Sequence, residues 1–139
     1  MPQFLSAFGG MSSPQPKFGE VRLPSESELA FFKENPKVAG MADFESNTII
    51  TNPHSKLSPK EMEHVVKNEM GRLVQKSLPM PEFGLTSEQK KKFKGYGTPA
   101  DQRATILSRI ATGDPSAGKA TPEQKKLGLF LQRAIEGVK

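Results

Sequence analysis

The sequence predicts an all-α fold, a small irregular helical bundle carrying an extended N-terminal arm. Three observations predict it. Helix-start signals recur along the chain, three later segments gather apolar residues on one helical face, and a single short stretch has strand-like composition. In 139 residues, 12 Gly and 12 Pro with 35% apolar residues argue against long regular elements and a core spanning the whole chain.

Residues 1–24 read as an arm. Gly9-Gly10, Ser12-Ser13-Pro14-Gln15-Pro16 and Pro24 prevent helix and discourage ladder pairing. Phe4, Phe8 and Phe18 are spaced along it, which a purely solvated linker does not need. The expectation is that these rings dock into grooves, on the same chain or on a neighbouring subunit. Ser25-x-x-Glu28 is a capping box that opens a short helix, stopped by Pro36. Asn47-Thr48-Ile49-Ile50-Thr51 is strand-like but too isolated to build a sheet, so it is expected to lie extended on the helices. Ser58-Pro59-Lys60-Glu61 then supplies a cap, a Pro at the first helical position and a Glu at the third. Thr86-x-x-Gln89, Thr98-Pro99-Ala100-Asp101 and Thr121-Pro122-Glu123-Gln124 repeat that scheme. Thr86–Lys91 and Thr121–Lys126 are a local echo of each other. The chain is thereby divided into an arm (1–24), a short helix plus extended segment (25–57) and a basic helical core (58–139).

The three longer helices each have an apolar stripe at 100° steps. Met62, Val65, Val66, Met70 and Leu73 form the first; Ala100, Ile106, Leu107, Ile110 and Ala111 the second; Leu127, Phe130, Leu131, Ala134 and Ile135 the third. Two charges interrupt them. Glu69 falls within the first stripe and Arg103 within the second, and a lone charge facing a core is costly unless paired. An interhelical Glu69–Arg103 ion pair is therefore expected, completed by Asn68 or Arg72. An interface-facing charge is one alternative and a single catalytic Glu in a cleft, as a glycan-cleaving lyase would need, is the other; glycosidases normally want a second carboxylate at a defined separation.

Little else suggests catalysis. Without Cys there is no disulfide, thiolate nucleophile or zinc finger. Gly113-Asp114-Pro115-Ser116-Ala117-Gly118-Lys119 fits G-x-x-x-x-G-K, but Ala120 stands where a hydroxyl would reach Mg²⁺ and a helix precedes it instead of a strand. A helix-to-helix loop, with Gly113 ending one helix and Thr121 capping the next, accounts for it. His54 and His64 lack metal-ligand spacing. No catalytic residue, cofactor or metal is expected, and the chain is read as a non-enzyme.

Charge is uneven. Residues 1–57 carry five Lys/Arg against six Asp/Glu, residues 58–139 fifteen against nine, so the +5 net charge belongs to the C-terminal part. Lys90, Lys91, Lys92 and Lys94 with Tyr96 could touch phosphates and stack a base, sequence-independently. They equally suit a solvated helix face over an inward Phe93, or contact with an acidic protein surface. Leu129 projects away from the third stripe and joins the arm as a partner-binding candidate. The first ten residues lack Lys, Arg and a sustained apolar run, so neither a targeting segment nor a membrane span is expected.

Asn52-Pro53-His54-Ser55-Lys56-Leu57-Ser58-Pro59-Lys60-Glu61, followed by Asn68-Glu69-x-x-Arg72, resembles segments of small structural or virion-associated proteins of tailed, podovirus-like bacteriophages. Phe93-Lys94-Gly95-Tyr96-Gly97 and Gly113-Asp114-Pro115-Ser116-Ala117 extend the resemblance to about half the chain. It implies a virion protein made in the host cytoplasm and present in a multi-copy assembly. The expected function is structural, in capsid, portal, tail or particle interior, through binding of other virion proteins. A nucleic-acid-binding accessory or ejected internal protein, and a small regulator of a host enzyme, are the alternatives.

Overall fold

The computed structural model describes residues 16–137 and overturns the all-α expectation: the fold is mixed, with a three-stranded sheet packed on helices. In chain order the elements are β1 (Glu20–Arg22), α1 (Glu26–Glu34), β2 (Gly40–Asp43), β3 (Thr48–Thr51), α2 (Pro59–Ser77), α3 (Ser87–Lys92), α4 (Pro99–Ala111) and α5 (Pro122–Gly137). A short 3₁₀ turn, Pro115–Ala117, lies between α4 and α5.

The sheet order is β1-β3-β2. The stretch taken as isolated is its central strand. β3 pairs antiparallel with β2, Met41 opposite Ile50, and parallel with β1, Val21 opposite Ile49. Thr48, Ile49 and Ile50 are buried in succession, so both faces of β3 are covered. The missing partners are three- and four-residue strands, one of them inside the Pro-rich arm. Part of the arm is thus built into the fold. Arg22 fastens this corner. Its guanidinium grips Glu28 through two bonds of 2.8 Å, reaches Asp43 at 3.0 Å and donates from Nε to Thr48 Oγ1 at 2.9 Å. Four elements are joined by one side chain.

The five capping boxes form as written in the sequence, each hydroxyl accepting from the residue three positions on. Two of them do more. Gln89 and Gln124, the third helical residues of α3 and α5, exchange amide hydrogen bonds of 2.7 and 2.9 Å and are both buried. Gln124 also donates to the Gly84 carbonyl at 3.0 Å. The echo in the sequence is therefore a physical contact, in which two helix starts meet through their own capping side chains.

α2, α4 and α5 enclose the main core, with Val74, Phe83, Leu107, Ala111, Leu131 and Ile135 buried together. The helices cross closely at two glycines. A methyl at Gly71 would overlap Ser108, whose Cβ would lie 2.9 Å away, and one at Gly128 would meet Ile110 at 2.6 Å. Phe130, assigned to the inner stripe of α5, is instead exposed; Gly128 and Gln124 take the inward positions.

Candidate functional site

A cleft of about 450 Å³ lies between α2, α4 and the segment entering β2, and it is lined by more charged side chains than the similar-sized hollow between α2, α4 and α5. α2 supplies Asn68, Glu69 and Arg72 at adjacent positions of one helical face, as residues three and four apart require. α4 supplies Thr105, Ser108 and Arg109, again one turn apart. Lys37 to Gly40 form the third wall, held by buried Asn52, whose side chain donates to the Val38 carbonyl at 2.9 Å and whose N–H donates to Ala39. Gly95 and Tyr96, after α3, close the rim.

Most of the lining is fixed by hydrogen bonds. Asn68 donates to Asp114 at 2.8 Å and accepts from Thr112 at 2.7 Å, while Ser108 donates to its carbonyl. Arg72 donates to Thr105 at 3.2 Å and stands 3.7 Å from Asp101. Arg109 lies over the rings of Phe93 and Tyr96, 5.1 and 5.4 Å from their centroids, and donates to Ser116 at 3.1 Å. Its buried Nε has no partner among the described residues. Glu69, by contrast, forms no ion pair among the described residues; burial pushes its carboxyl up to about 7, against the opposing pull of Arg72 and Arg109.

This corrects the expected Glu69–Arg103 pair. Arg103 reaches the largely exposed Glu82 at 3.8 Å, and the arginines beside Glu69 are Arg72, on its own helix, and Arg109, nearly two turns beyond Arg103. The wheel found the face but not the height. A single carboxylate lines the cleft, among the described residues, so the two-carboxylate arrangement of glycoside hydrolysis is not formed there.

The basic segment splits. Lys90, Lys91, Lys92 and Lys94 are exposed around buried Phe93. Tyr96 is half-exposed, but it packs edge-on against Phe93 at 5.1 Å and carries Arg109, so it serves the cleft rim before any base. Among the partner-binding candidates, Leu129 is exposed beside Phe130. Phe18 packs partly buried against the chain's own core, the same-chain branch of the docking expected for the arm's rings and not the partner-binding one. Phe4 and Phe8 lie outside the described residues. In the near P-loop, Gly113 and Gly118 take positive φ and Asp114 caps the 3₁₀ turn by accepting from Ser116 N–H at 2.9 Å, which places a carboxylate where phosphate would bind. Among the described residues, no helix is long and apolar enough to cross a membrane.

Sequence reasoning missed Arg22, Arg109 and the Gln89–Gln124 pair. Only the last left a signal, the repeated Thr-x-x-Gln. Comparison with protein-family models, curated proteins and solved structures gives no match to this chain.

Proposed function

We propose that this chain is a non-enzymatic assembly protein that binds neighbouring protein subunits of a larger particle. The observation that supports it is on α5. Leu129 and Phe130 stand side by side, 49% and 55% exposed, on the helix face opposite the core residues Leu131 and Ile135. Lys126 and Arg133 flank them, so the patch has an apolar centre and a basic rim. Such a surface suits an apolar depression bordered by acidic residues on a partner; each side chain fully buried there contributes on the order of 1.5–3 kcal/mol before ordering costs. The resemblance to phage virion proteins makes a virion the assembly of choice.

Leu129→Ser with Phe130→Ser tests this reading. Co-sedimentation of the variant with assembled particles is expected to fall at least tenfold while its circular dichroism and melting stay as in the wild type. Wild-type incorporation of the folded double variant would reject the α5 patch. The nucleic-acid alternative has its own support in the exposed lysines at 90–92 and 94. It predicts salt-sensitive, sequence-blind binding lost on neutralising those lysines and untouched by the α5 change.

A further inference from the structure

We infer that the cleft between α2, α4 and the β2 entry segment is a binding site for a small organic oxyanion, a carboxylate or phosphate monoester on an apolar or aromatic body. The proposal does not rest on the assembly role. Three cations from three separate elements, Lys37, Arg72 and Arg109, line one concavity. Guanidinium forks favour carboxylate and phosphate oxygens because they offer paired donors in a plane. Both forks are pre-positioned, Arg72 by Thr105 and Asp101, Arg109 by two aromatic rings and Ser116, so little ordering is left for a ligand to impose. The volume of about 450 Å³ is that of a small-molecule site, larger than a bare phosphate needs. Val38, Val65 and the Tyr96 ring supply the apolar wall for the remainder.

Glu69 would oppose an anion if it were charged. Burial holds it up to about 7, so below that pH it presents chiefly a carboxyl O–H, which donates to an oxyanion. The other charged or titratable groups lining the cleft are Lys37 before β2, Arg72 on α2, Tyr96 after α3 and Arg109 on α4. Asp101 and Asp114 stand one step further out, on Arg72 and Asn68.

The test is an NMR titration of the full chain with phenyl phosphate and with benzoate, using neutral benzyl alcohol as control. Saturable shifts are expected at the Gly40, Gly95 and Thr105 amides, weakening as pH rises through about 7. Arg72→Gln and the exposed-loop variant Lys37→Gln should each weaken binding, the first by about tenfold. Glu69→Gln should bind at about pH 8 as the wild type does at about pH 6. Absence of saturable shifts at these amides, shifts confined to Lys90–Lys94, or equal binding of benzyl alcohol would each overturn the proposal.

Discussion

Arginine and carboxylate meet in two regions of this molecule, with opposite results. At the sheet corner, Arg22 bonds Glu28 and Asp43 directly; its hydrogen bond holds the Glu28 carboxyl down to about 2, and those of Ser46 first and Arg22 next do the same for Asp43. In the cleft, Arg72 and Arg109 are near Glu69 but bonded elsewhere, and its carboxyl is pushed up to about 7. Proximity is common to both; the hydrogen bond is what differs. The corner therefore contributes stability, whereas the cleft spends some of it. A carboxyl that lines a cleft with no hydrogen-bond partner among the described residues is the kind a ligand can complete.

The comparison can be broken from either end. The largest effect should come from a third buried polar contact, independent of charge. Gln124→Leu removes the bonds to Gln89 and Gly84 and the return half of the α5 cap, and should cost about 3 kcal/mol in urea unfolding at every pH. A loss confined to acid would mean that the amide pair is not what holds the two helix starts.

Next is Arg22→Ala, expected to cost about 2 kcal/mol at neutral pH, since its partners are about a quarter exposed. The sign follows from the depressed carboxyls. Their contribution is complete above about 4.5 and is lost as pH falls towards about 2, so the variant should lose mainly the Glu28 share of the acid limb, Asp43 keeping its hydrogen bond from Ser46. An unchanged acid limb would assign that stability to other carboxylates.

The smallest effect sharpens the correction of the ion pair. Glu82→Ala removes the partner that Arg103 does have, at 3.8 Å and exposed, and should change stability by less than about 0.5 kcal/mol. A cost several times larger would restore Arg103 to a structural role.

The helices were legible because their starts are local. A hydroxyl, three positions and a Glu, Gln or Asp contain everything the cap needs, and Pro59, Pro99 and Pro122 mark the first turns. The sheet was not, because its information is non-local: nothing in Glu20–Arg22 announces that Val21 will lie beside Ile49. Glu69 was visible as a charge out of pattern, but a single helix cannot say which residue of its neighbour lies at the same height. The crossing at Gly71 and Ser108 sets that height, and it places Arg109 beside the cleft in place of Arg103.

The central claim is that Glu69 is a carboxyl left unpaired among the described residues, and unfolding of wild type and Glu69→Gln from about pH 4 to about pH 8 tests it most directly. A folded value near 7 against 4.5 means that wild-type stability declines as pH rises through that interval. The two proteins should match near pH 4, and the variant should be the more stable by about 2–3 kcal/mol near pH 8. A variant less stable than wild type near pH 8 would show that Glu69 is charged and paired within the fold, and would contradict the account.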